Sequence, residues 1–290
     1  MEDLAELRTI CQTTAKKDRS NVYMRRVSRF FSIFITRVLI PTAVTPDQVS
    51  FIMILTGVMA GFVFSFPSPT AFLFGALILQ LWYILDCVDG ELARYRDYIL
   101  RKIVTVNKED LPITGAYWDY LNHYIVHGVV PFSISIGLYH SKANLFYVIL
   151  GFGASFFQLL LLAIHDTRAR AYVAKIRKYS SAGYTVSCRD EINSIDSKTN
   201  SQNWSPLKWG FVILHYGTTY PTVMNVITVT PVLMLVFHIE LRGFLLSFYA
   251  IASAIVFLGL AAKSLINLGL DKDFDSAFHV QKRADLDSFP

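Results

Sequence analysis

Between Asp86 and His123 the chain gathers acidic and imidazole side chains at the mouths of two apolar runs. One run ends at Leu85, and Asp86 and Asp89 follow at once, with Gly90, Ala93 and Arg94 behind them. After a spacer of twenty residues, 95–114, come Gly115, Asp119 and His123, where the next apolar run begins. On a helix, Asp86 and Asp89 lie three apart and Asp119 and His123 four apart, so each pair shares a face. Carboxylates at a membrane boundary need a partner, and a divalent cation is the obvious one. Small residues at 90, 93 and 115 would let two helices, or a bulky ligand, approach that cation closely. His127 continues the stripe by one turn; inside a membrane helix a lone histidine reads as a hydrogen-bonded core residue more readily than as a ligand.

These residues must be positioned by elements in a bilayer. With 290 residues, 53% of them hydrophobic, and a mean hydropathy of +0.40, the chain is not an ordinary soluble domain. Its 22 Phe and 15 Tyr suit a surface facing lipid and its interfaces. Six apolar runs, at about 48–66, 70–86, 116–138, 144–164, 208–237 and 243–265, each approach the ~20 residues that cross hydrocarbon as a helix. Thr45-Pro46 predicts a helix start, Phe66-Pro67-Ser68-Pro69 a tight turn, and Pro221 with Pro231 a kinked fifth run. The predicted fold class is therefore all-α and polytopic, with residues 44–266 forming a six-helix membrane domain. Ahead of it, residues 21–43 carry Arg25, Arg26, Arg29 and Arg37 among apolar residues at helical spacing, which predicts an amphipathic helix flat on the membrane surface. Residues 1–20 read as a solvated tail, with a helix left open, and without a cleavable signal peptide, and residues 267–290 as a charged, loose one. Cys11, Cys87 and Cys188 show no paired spacing and read as free thiols.

Twenty-five of the 27 lysines and arginines fall in segments that would share one side of a six-span topology; only Lys142 and Arg242 fall on the other. That bias predicts both termini and the Asp86–His123 cluster to be cytoplasmic.

The cluster resembles the signature of the CDP-alcohol phosphotransferases, D-x2-D-G-x2-A-R, a spacer, then G-x3-D-x3-D. Here it stands as Asp86-x2-Asp89-Gly90-x2-Ala93-Arg94 and Gly115-x3-Asp119-x3-His123, so seven of eight fixed positions match. The spacer is longer than the family's and reads as a loop extension, and His123 replaces the last aspartate. The resemblance implies that Asp86, Asp89 and Asp119 hold a divalent metal, Mg²⁺ or Mn²⁺, and that Gly90, Ala93 and Gly115 line the nucleotide side. Arg94 either contacts the nucleotide phosphates or pairs with an aspartate to hold the helix end. The family places its base where His123 stands. Imidazole accepts a proton at neutral pH, but it is a poorer Mg²⁺ ligand than carboxylate and a fair one for Mn²⁺. Three readings stay open: His123 as base, an altered metal site, or a non-catalytic relative.

The implied reaction moves a phosphate-linked group from a CDP-linked donor to an alcohol with loss of CMP, in phospholipid biosynthesis. The donor is CDP-diacylglycerol meeting a polar alcohol or a soluble CDP-headgroup meeting a lipid hydroxyl; the compact six-span chain favours the first by analogy. Arg168 and Arg170, at the end of the fourth run, are candidates for phosphate recognition, or ordinary flanking charge. The serine-rich stretch 179–205 carries no motif. Membrane lipid is a partner, nucleic acid is not expected, and a homodimer follows only from family habit. An ion-coupled transporter is the rival class; its acids would lie near the midplane within a repeat, and neither feature is seen here.

Overall fold

The structure is a computed structural model that describes residues 2–12, 22–103, 114–188 and 205–282. In chain order the helices are α1 (Leu4–Gln12), α2 (Arg29–Leu39, entered through a π-helical turn Met24–Ser28), α3 (Pro46–Phe64), α4 (Pro69–Ile103), α5 (Thr114–Lys142), α6 (Phe146–Ser181), α7 (Pro206–Thr218), α8 (Thr222–Phe237), α9 (Arg242–Leu265) and α10 (Gly269–Ala277). Strands β1 (Tyr184–Cys188) and β2 (Phe278–Lys282) complete the elements. They sort into two compact units, Met1–Phe156 with Gly217–Ala250, and Phe157–Tyr216 with Ile251–Pro290.

In the first unit α3, α4 and α5 pack on one another, with α8 against α4 and α1 and α2 laid along α4. The start of α3 follows from its sequence. Thr45 Oγ1 accepts from the Gln48 backbone N–H at 3.2 Å, the Gln48 side chain accepts from the Thr45 N–H at 3.0 Å, and Pro46 fills the first turn. This capping box satisfies donors that the helix itself leaves unpaired. Along α3, Gly57 and Gly61 let α5 come close, since a Cβ on either would fall within 2.4 Å of Val126 or Val129. Between apolar helices in lipid, such close shape-fitting replaces the aqueous hydrophobic drive. The core holds Met53, Phe64, Phe72, Leu79, Trp82, Val126, Val130 and Ile134, all buried. At the end of the unit away from the cluster, the buried Arg242 donates to Glu240, the Pro67 carbonyl (2.9 Å) and Ser141 Oγ (3.1 Å), tying the α3–α4 turn and the end of α5 to the start of α9.

Within the second unit, Gln158 Nε2 donates to Ser253 Oγ at 2.9 Å, joining α6 to α9. α10 docks on α6 through the buried Phe274, which stacks with Tyr179 and Phe278. Arg168–Asp273 at 2.7 Å and Lys175–Asp271 at 2.8 Å flank this contact. β1 and β2 pair antiparallel, Tyr184 opposite Lys282.

Three sequence expectations change. The N-terminal tail, helical over Leu4–Gln12, is not solvated throughout: Leu7, Cys11 and Gln12 are buried, and their apolar and amide groups find partners on α2 and α4. The tail from residue 267 is not loose, because Phe274 and a strand anchor it as far as Lys282. The spacer begins not as a loop but as α4 itself, which runs on to Ile103, while residues 104–113 lie outside the described residues. The stretch 179–205 opens with the end of α6 and with β1, and its remainder to residue 204 lies outside the described residues.

Among the described residues, four helices are long and apolar enough to cross a membrane: α3, α4 to Leu100, α6 and α9. The broken pair Lys208–Thr218 and Thr222–Phe237 makes a fifth if counted as one span. α5, which carries Asp119, His123, His127 and His140, is less apolar and does not join them. The protein is thus an α-helical polytopic membrane protein with one small two-stranded sheet.

Candidate functional site

The site is set by how α4 and α5 face each other. Trp82 is fully buried, and its Nε1 donates to Oδ1 of the equally buried Asn122 at 3.0 Å. Asp86 stands one turn after Trp82 on α4, and Asp119 and His123 flank Asn122 on α5. One buried hydrogen bond therefore fixes the rotation of both helices and turns the three polar side chains toward one another. The His123 ring meets the Trp82 ring edge-on at 5.4 Å.

The result is a compact group. His123 Nε2 lies 3.4 Å from Asp119 Oδ1 and 3.7 Å from Asp86 Oδ1. One ligand atom from each of Asp86, Asp119 and His123 falls within 4.8 Å of the others, and all three side chains are partly exposed. Two carboxylates and an imidazole at that spacing, open to solvent, fit a hard or borderline divalent cation such as Mg²⁺ or Mn²⁺.

Asp89 is placed differently. It is buried, lies outside this group of three, and accepts a hydrogen bond from Ser50 Oγ on α3. The motif's small residues also serve other ends than helix contact. Arg94 folds back over Gly90, its terminal nitrogens 3.0 and 3.3 Å from where a Cβ would stand. Ala93 is exposed, and nothing lies within 4 Å of a Cβ on Gly115. What these positions leave is room beside the carboxylates for a ligand. Arg94 pairs with no aspartate among the described residues; its Nε donates to the Cys11 carbonyl of α1. His127 is buried, and neither ring nitrogen has a hydrogen-bond partner among the described residues. It stacks on Tyr220 at 3.8 Å, so it is held by ring packing rather than by the hydrogen bond expected of it. Arg168 is engaged by Asp273 and by Tyr172 Oη, and Arg170 is exposed.

Glu91 went unremarked in the motif, yet it is the most thoroughly satisfied acid at the site. It is 1% exposed and accepts from Gln12 Nε2 (2.7 Å), Ser32 Oγ (2.6 Å) and Thr36 Oγ1 (2.7 Å). Its signal in the sequence was a charged residue on the face of α4 that carries Cys87 and Val88, otherwise apolar. A groove of about 480 Å³ is lined by Val44, Asp47, Gln48, Phe51, Ile52 and Trp118, the residue before Asp119.

Fold and site together define a polytopic α-helical membrane protein with a metal-capable acidic cluster. A model of the CDP-alcohol phosphatidyltransferase family matches residues 43–101, from just before α3 to the end of α4. The match includes Asp86, Asp89, Gly90, Ala93 and Arg94; over this stretch, about a fifth of the chain, the sequence is similar to that family. Gly115, Asp119 and His123 lie beyond the matched residues. A comparison with curated proteins returned no match.

Proposed function

We propose that this protein is a membrane enzyme that transfers a phosphate-linked group, most simply phosphatidyl, from a CDP-activated donor to an alcohol and releases CMP. The observation that carries the reading is the meeting of Asp86, Asp119 and His123 within 4.8 Å, on a helix pair whose first half matches a CDP-alcohol phosphatidyltransferase model. A divalent cation held by Asp86 and Asp119, with Asp89 as the further ligand the motif implies, would neutralise the donor's diphosphate. Arg94 offers its forked end to the same phosphates. His123 Nε2 takes the proton of the acceptor hydroxyl. The acceptor oxygen then bonds to the phosphorus that carries the transferred group, the P–O bond to the CMP phosphate breaks, and CMP leaves with that electron pair.

A second reading is favoured by the same geometry: His123 Nε2 sits with two carboxylate oxygens at ligand spacing, so it is itself a ligand and the acceptor proton leaves by another route. Arg170 remains a candidate for headgroup phosphate, whereas at Arg168 an anion would have to displace Asp273. The cation bias supports a cytoplasmic site and cytoplasmic termini, and the six-span count rests on α5 and the broken α7–α8 pair each crossing once. The test is CMP release from CDP-diacylglycerol by the purified protein in detergent, with Mg²⁺, Mn²⁺ or chelator, against inositol phosphate, glycerol phosphate, serine, choline and ethanolamine. Metal-dependent release with one acceptor is expected; donor binding without release under every condition assigns the chain to a silent relative.

A further inference from the structure

We infer that α1 is a positioning element for the transfer site, with Gln12 and the Cys11 carbonyl holding Arg94 in the attitude that receives the donor's phosphates. This rests on the proposed function.

Among the described residues the Arg94 guanidinium is tied at one corner. Its Nε donates to the Cys11 carbonyl, while Nη1 and Nη2 lie across Gly90 with no hydrogen-bond partner among the described residues. The free edge is the one that makes paired contacts with phosphate oxygens. Cys11 serves as anchor through its backbone carbonyl, whose partial negative charge faces the guanidinium.

Everything then depends on the register of α1, and Gln12 sets it. Its Nε2 donates both to the Arg29 carbonyl at 2.9 Å and to Glu91 Oε1 at 2.7 Å. One buried amide thus joins α1, α2 and α4, three residues from Arg94. Glu91 in turn is met by Ser32 and Thr36 of α2. At the far end of α1, Tyr95 Oη donates to Glu2 at 2.8 Å. Packing alone would not ask for this arrangement: an apolar side chain at 91 would bury at least as well, whereas a hydrogen-bonded acid selects one register. Leu7, Cys11 and Ile33 pack together beneath it and supply the adhesion.

The test uses the full-length protein in detergent, with CDP-diacylglycerol and CDP-choline as donors. Gln12→Leu removes the amide and keeps the bulk. Its KM for the donor should rise about tenfold with kcat nearly unchanged, the size expected for one misdirected charged hydrogen bond. In an Arg94→Ala background the same change should have no further effect, because Gln12 acts through Arg94. Cys11 gives a readout independent of turnover. Burial, and then the nearby Glu91, push its thiol up to about 11, so alkylation should be slow in the parent and fast in Gln12→Leu. Additive effects of Gln12→Leu and Arg94→Ala, or equal Cys11 reactivity in parent and variant, overturn the inference while leaving the proposed function standing. A parent that releases CMP from neither donor removes both together.

Discussion

At the scale of single residues, three side chains of modest individual interest become a site because of their distances. Asp86→Asn or Asp119→Asn keeps size and removes the charge that would attract a cation. Each should lower CMP release by two orders of magnitude or more, the ~3–4 kcal/mol typical of a lost group at a shared electrostatic centre. Mn²⁺ titration followed by electron paramagnetic resonance should show the ion lost in parallel. Near-normal turnover in Asp119→Asn would remove the metal assignment. His123 separates the two readings of its role. As a base, His123→Ala should lose ~10²–10⁴-fold in turnover and keep Mn²⁺ binding, and His123→Asp, which restores the usual motif, should keep activity. As a ligand, His123→Ala should lose the ion itself. Asp89 stands apart from these, because Ser50 already occupies one of its oxygens.

At the scale of elements, the helices are held at both ends of the first unit by buried polar contacts. Near the cluster these are Trp82–Asn122 and Glu91 with its three donors; at the opposite end the contact is Arg242 with Glu240, Pro67 and Ser141. Glu240 sits on the short connection before α9. Partial burial would raise its pKa, but the hydrogen bonds and charge of Arg242 outweigh that and hold it below the ordinary carboxylate value. A depressed folded-state pKa contributes stability above the unfolded value, and that contribution is lost as pH falls through the folded one. The melting temperature in detergent should therefore drop on acidification below about pH 4.5, and Glu240→Gln should be less stable at neutral pH with a flatter acid limb. An unchanged acid limb in Glu240→Gln would show that other carboxylates set it. Arg242→Ala should cost on the order of 2–3 kcal/mol, since it leaves a backbone carbonyl, a hydroxyl oxygen and a carboxylate short of a donor.

At the scale of the whole molecule, the open quantity is how the chain threads the bilayer. α4 spans from Pro69 to Ile103 without a break, so its two ends report directly on sidedness. With the exposed Cys188 replaced by serine and Cys11 and Cys87 buried, a cysteine at Ser68 should react with an impermeant maleimide from outside intact cells. One at Lys102 should react only after the membrane is opened. The reverse pattern would place the Asp86 cluster on the outer face, away from a cytoplasmic nucleotide donor.

The sequence by itself determined the class of protein, the helical runs and the residues of the cluster. Those follow from local physics: the length of an apolar run, a cap at Thr45, and a 3.6-residue period that puts Asp119 and His123 on one face. It also determined that an acid-rich stretch lay where two runs meet, which is why the motif was legible. Only the tertiary structure decided which acids face which. A rotation fixed by Trp82 and Asn122, residues forty apart in sequence, brings Asp86 to His123 and sends Asp89 to Ser50. The folding of Leu4–Gln12 against α4 was hidden for the same reason. Leu4, Leu7, Ile10 and Cys11 carry a helical stripe, but what that stripe docks on is settled by Gln12 finding a buried carboxylate seventy-nine residues away, a pairing that no local pattern encodes.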